Sequence, residues 1–157
     1  MPFKFSLESE YAFDVSPVPL GGDSSFLISD TLRLDSTADF RRFKEDMDFV
    51  YLEKVIMKMK SFAGDKGAEM DGEFALQGAF EEITVPIYNL NLSASMGAIP
   101  AQPIEFIVPF HEQYEFSAAC IGQEEAILFF LEGTFDEVPA SGTFTLEFIF
   151  SGEAAVN

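Results

Sequence analysis

The chain has no tryptophan, one cysteine, one histidine, and only nine basic residues against 27 acidic ones in a total of 157. A lone thiol, Cys120, forms no intrachain disulfide, so packing must hold the fold, and a reducing, intracellular folding site is expected. The formal net charge of -18 repels phosphate, which argues against strong direct binding along a nucleic-acid backbone. Long apolar runs are also missing. The longest clean one, Ala126 to Leu131, is far short of the ~18–20 residues of a membrane span. The opening MPFKFSLESEYAF has no apolar stretch of the secretory kind. A soluble protein without a membrane span is expected.

Catalytic signatures are equally scarce. No GxGxxG, P-loop, CxxC or HExxH pattern occurs. The single histidine, His111, stands between Phe110 and Glu112 at an expected turn, with no serine elbow or cysteine near it in sequence, whereas a triad needs nucleophile, base and orienting acid. Cys120 follows Ala118-Ala119 and reads as a small buried side chain. Carboxylates are so numerous that no glycosidase-type pair stands out by spacing. The stretch Asp65-Lys66-Gly67-Ala68-Glu69-Met70-Asp71-Gly72-Glu73 alternates oxygen ligands of the kind Ca²⁺ takes, but lacks the EF-hand spacing and closing glutamate. It reads as a solvated acidic loop, with Ca²⁺ at residues 65–73 left open. No catalytic residue, cofactor, resident metal or small-molecule substrate is expected.

What the chain does have is apolar mass: 48% hydrophobic residues, 19 of them Phe, with a mean hydropathy of +0.14. Beside so much acid, these residues must be segregated into a core and an interface. A length of 157 suits one domain, residues 1–157, with no linker or repeat. Gly and Pro occur singly, as strand punctuation. Alternation marks strands at Phe3, Phe5, Leu7, at Tyr11, Phe13, Val15, and, after a Gly21-Gly22-Asp23 turn, at Phe26 to Leu34.

Between Asp35 and Asp48, Phe40, Phe43 and Met47 recur at helical spacing, and Ser36 with Asp39 resembles an N-terminal cap. One helix near residues 36–48 is therefore expected. Strand periodicity returns in Tyr51 to Lys60, with Tyr51, Val55, Met57 and Met59 on one face and Lys54, Lys58 and Lys60 on the other. Phe80–Leu92 changes parity near Pro86, which predicts a bulge or break there. Further strands are expected at Glu73–Gln77, Ile104–Phe110, Tyr114–Ile121, Ala126–Phe135 and Thr143–Phe150, the last an adhesive edge if left bare. Eight to ten strands joined by longish connections favour an all-β, antiparallel sandwich of jelly-roll type. Seven of the nine basic residues, Arg41, Arg42, Lys44, Lys54, Lys58, Lys60 and Lys66, fall between positions 41 and 66. They form either a positive patch for an acidic neighbour or an ordinary solvated face.

The segment Ser36–Asp48 with Asp39-Phe40 and Phe43, followed by Tyr51-Leu52-Glu53-Lys54-Val55-Ile56-Met57, resembles the passage between long strands in single-jelly-roll viral coat proteins. Ala140-Ser141-Gly142-Thr143-Phe144-Thr145-Leu146-Glu147-Phe148 is similar to their closing strand. Together these stretches cover about a third of the chain. The resemblance implies a capsid subunit, located in a virion, that assembles with itself into a closed symmetric shell and also contacts other coat proteins. Coats that package naked nucleic acid usually carry a basic N-terminal arm, which the opening MPFKFSLESEYAF does not match. A second resemblance, weaker, joins Ile83-Thr84-Val85-Pro86-Ile87-Tyr88-Asn89-Leu90-Asn91-Leu92 and Gln102-Pro103-Ile104-Glu105-Phe106 to nucleoplasmin-type histone chaperones. It implies an acidic binder of basic proteins. A carbohydrate-binding jelly roll, using Tyr11, Tyr88 or Tyr114 as platforms, is the third alternative. If apolar burial outweighs the basic patch, self-assembly should strengthen with salt.

Overall fold

Phe3, Phe5, Phe13 and Val15 all point to one side of an extended strand and are buried, while Lys4, Glu8, Glu10 and Asp14 point to the other and are exposed. The same alternation, repeated along the chain, builds two sheets that close over a common core. The structure, a computed structural model, describes residues 2–16, 25–43, 47–77, 82–93, 104–107 and 126–154. Its strands are β1 (Pro2–Val15), β2 (Ser25–Arg33), β3 (Met47–Gly64), β4 (Met70–Gln77), β5 (Glu82–Leu90), β6 (Ile104–Ile107), β7 (Ala126–Phe135) and β8 (Ala140–Ala154). One sheet has the order β1-β8-β3-β6 and the other β2-β7-β4-β5. Every paired neighbour is antiparallel. Only β4 and β5 are both consecutive and paired, because the chain otherwise passes from one sheet to the other at each step. Among the described residues, that path through eight strands is the jelly roll.

Phenylalanine takes the place that the absent tryptophan could have filled. Phe129 of β7 meets Phe148 of β8 at 5.1 Å, Phe74 of β4 meets Phe106 of β6 at 4.7 Å, and Phe13 of β1 stacks on Phe26 of β2 at 5.0 Å. Each pair joins the two sheets. Such contacts add ~0.5–1.5 kcal/mol to the ~1.5–3 kcal/mol of burying each ring.

The structure refines four expectations. The helix lies within the expected span but is short: α1 runs Ala38–Phe43, after a 3-10 turn at Leu34–Ser36. Its cap is Thr37, whose Oγ1 accepts the Phe40 amide at 3.2 Å, while Ser36 Oγ is turned back to donate to the Arg33 carbonyl. Met47 already pairs with Ala154 in the β3–β8 ladder. Tyr51 is not on the core face, because the ladder slips between Leu52 and Lys54. The extra residue, Glu53, reverses the parity, so Val50 and Leu52 point inward before it and Val55 and Met57 after it.

The irregularity of β5 lies at Tyr88–Asn89 and not at Pro86. Gly72 pairs with Ile87 and Met70 with Leu90, and Asn89 takes the left-handed conformation, φ 50°. Pro86 itself sits in register opposite Glu73 on a sheet-edge strand, where a missing N–H is tolerated. Finally, Thr143–Phe150 is no bare edge: β8 lies between β1 and β3 and is paired on both sides. The Gly21-Gly22-Asp23 turn and the Tyr114–Ile121 strand fall outside the described residues.

Candidate functional site

The inside of the sandwich is filled, so chemistry has to be sought on its faces and at its ends. His111, Cys120 and Tyr114 lie outside the described residues. Among the described residues no group of three or more His, Cys, Asp or Glu is placed to hold a metal ion, and no helix is long and apolar enough to cross a membrane.

In the 65–73 stretch both aspartates are engaged with backbone. Asp65 Oδ1 accepts the Gly67 amide at 2.7 Å, and Asp71 Oδ1 accepts the Asn89 amide at 2.7 Å. Asp136, arriving from the β7–β8 turn, accepts the Glu69 amide at 2.8 Å and returns its own amide to the Glu69 carbonyl. These bonds make the loop a clasp between strand ends. A hydrogen bond with Asp65, helped by the charges of Asp65 and Asp136, pushes the exposed Glu137 carboxyl above its ordinary value.

The outer face of the β1-β8-β3-β6 sheet carries paired charge. Lys54 of β3 meets Glu105 of neighbouring β6 at 3.3 Å, while Lys4 meets Glu53 at 3.2 Å and Lys60 meets Glu10 at 3.3 Å, both between β1 and β3 over the intervening β8. Two of the three β3 lysines, Lys54 and Lys60, therefore find their acids within the chain, which takes them out of the positive patch offered as one reading of the basic cluster. The helix with Arg41 and Arg42 packs on β1, where Phe40 meets Phe5 edge-on at 5.8 Å. Ser151, buried on this face, donates from Oγ to Glu53 at 2.9 Å. That bond chiefly, with Lys4 beside it, lowers the Glu53 pKa. A shallow hollow of about 330 Å³ lies here between Pro2, Lys4, Tyr51, Ser151 and Glu153. It holds a hydroxyl committed to a carboxylate, and no imidazole among the described residues completes a triad.

The outer face of the β2-β7-β4-β5 sheet is different. All the large exposed hydrophobic residues described, Leu27 (66% exposed), Tyr88 (75%) and Leu128 (44%), are on its strands. Half-buried Phe130 lies between Ser29 and Ala75 on the same face. No sequence signal distinguished this sheet from the other, because both alternate alike. Of the tyrosines proposed as platforms, Tyr88 is free in this way. Tyr11 is tied, donating to Asp30 Oδ2 at 2.8 Å across the β1–β2 side of the sandwich.

No family model and no curated sequence matches the chain. The solved structures it resembles include viral capsid proteins. They include the decameric BFDV capsid protein (TM-score 0.48, 9% identity, 98% of this chain and 99% of that one). The infectious bursal disease virus VP2 subviral particle has a TM-score of 0.40 and 12% identity over 99% of this chain and 38% of that one. The semi-empty particle of Macrobrachium rosenbergii nodavirus has 0.36 and 10% over 100% and 97%. With TM-scores below 0.5, the strand order described above remains what defines the fold.

Proposed function

We propose that the chain is a structural coat subunit that self-assembles into a closed symmetric shell and resides in a virion. One observation carries this reading: the jelly-roll interior is packed with phenylalanine, which leaves the outer faces, edges and ends of the sandwich to do the work. Jelly rolls serve as capsid subunits, lectins and cupins. A cupin works from inside its barrel, and here Phe74, Phe129, Phe144, Phe148 and Phe150 occupy that space. The apolar outer face of one sheet suits contact with protein, and the sequence resemblance to coat proteins points the same way. No enzymatic role is assigned.

Negative-stain microscopy of the full chain, purified at ~0.15 M and at 1 M salt, tests the proposal. Closed particles or rings of uniform size are expected. Particles absent at both salts, with histone-bound complexes in their place, would overturn it in favour of an acidic chaperone.

A further inference from the structure

The two outer faces of the sandwich differ in how their charges are satisfied. The three described ion pairs are all on the β1-β8-β3-β6 sheet. On the other sheet, Glu73 and Glu132 sit directly opposite each other in one rung, Leu27–Glu132–Glu73–Pro86. Like charges opposed in this way repel, and no basic residue shares the rung. At the far end of the same face stands Arg33, exposed, opposite Ala126. No ion pair to Arg33 occurs among the described residues. Between the two ends lie Phe130 and Leu128, while Leu27 shares the acid rung.

We propose that this face is the contact between two copies of the chain, mated across a two-fold axis that lies in the face and crosses the strands at the level of Asp30. A rotation about that axis reverses position along the strands and preserves position across them. Arg33 and Leu27 lie six residues apart in β2, ~20 Å at ~3.3 Å per residue, with Asp30 midway. The rotation therefore carries Arg33 of each copy over Leu27 of the other, offset sideways by one strand spacing of ~4.8 Å from Glu132, a step the long arginine side chain spans.

Arg33, the one cation on the described part of the face, then reaches Glu132 of the acid pair, twice by symmetry, as an isologous interface requires. Phe130 and Leu128 fill the middle, and Leu27 packs under the stem of the other copy's arginine. Nine-residue strands, four abreast, give a face of roughly 30 Å by 19 Å, about 570 Å² in projection, some seven-tenths of the ~800 Å² each partner contributes to an ordinary interface. Nucleic acid fits less well, since the described part of the face sets the carboxylates of Asp71, Glu73 and Glu132 against one cation, and a basic protein would leave Arg33 unmatched.

The proposal deepens the coat-subunit reading and rests on its self-association. Sedimentation velocity over a concentration series separates the two. Leu27→Glu with Leu128→Glu is expected to abolish or strongly weaken association while the thermal melt stays cooperative, because both side chains are exposed. Arg33→Glu should weaken it several-fold, and adding Glu132→Arg to Arg33→Glu should restore it.

Folded variants that assemble as the wild type does would overturn this face as the contact and leave the coat reading standing. If the leucine variant fails to associate but neither charge change has an effect, the two-fold arrangement is wrong. A wild-type chain that never associates contradicts both proposals.

Discussion

At the residue scale, glycine and tyrosine show what packing adds to pattern. Gly72 and Gly133 face each other within β4 and β7, although isolated glycines in the sequence read as punctuation between strands. A Cβ on Gly72 would collide with the Glu132 carbonyl oxygen, and one on Gly133 would come within 2.5 Å of Met70 Sδ and 2.6 Å of the Phe26 ring. Both glycines are thus demanded by a close approach that only the fold reveals. Gly72→Ala should cost ~1–3 kcal/mol in denaturant unfolding, since a backbone oxygen cannot turn aside as a side chain can.

Tyr11 supplies a pH handle. Burial, followed by the hydrogen bond and charge of Asp30, pushes its phenol from 10.0 up to about 12. A folded-state pKa above the unfolded one favours the neutral form, so this contribution to stability is complete below pH 10 and is lost as pH rises to about 12. Thermal melts of the wild type should therefore fall more steeply between pH 10 and 12 than those of Tyr11→Phe.

At the element scale, alternation placed β2, β5 and β7 within two residues, because one face of each is buried, whereas β3, β4 and β8 run three or four residues beyond their expected bounds. It could not show where β3 and β5 slip. Glu53 and Asn89 are ordinary in sequence, and only the partner strand defines the extra residue. Near Pro86 the proline drew attention to a chemically plausible site, yet at an edge position it breaks nothing. The helix was legible from Phe40, but its length was not, since pairing with β8 claims the chain from Met47 onward.

Pattern also gave Phe148 and Leu128 the same apolar value, whereas the structure separates them. Phe148 is fully buried between sheets and Leu128 is on an outer face. Phe148→Ala should lose ~3–5 kcal/mol, and Leu128→Ala should change subunit stability by no more than ~0.5 kcal/mol. Urea unfolding of the two variants at a concentration where the chain is dissociated compares them directly. Equal losses would contradict the placement of the core.

At the scale of the whole molecule, composition announced a β-rich, acidic protein, but strand order was beyond it. Nothing local in β8 says that it lies between β1 and β3, and the expected sticky edge proved to be the middle of a sheet. The candidate site was less legible still, because a face becomes visible only when four strands from distant parts of the chain lie side by side.

Charge sets the remaining condition. Subunits carrying -18 each repel over a Debye length of ~30 Å at 0.01 M salt, which contracts to ~8 Å at 0.15 M. Apolar contact is not weakened by salt in this way. The most direct test of a self-assembling coat subunit is therefore sedimentation velocity of the purified chain from 0.05 to 1 M NaCl. A large, discrete oligomer that persists or grows with salt is the expected result. A strict monomer at every salt concentration would contradict it.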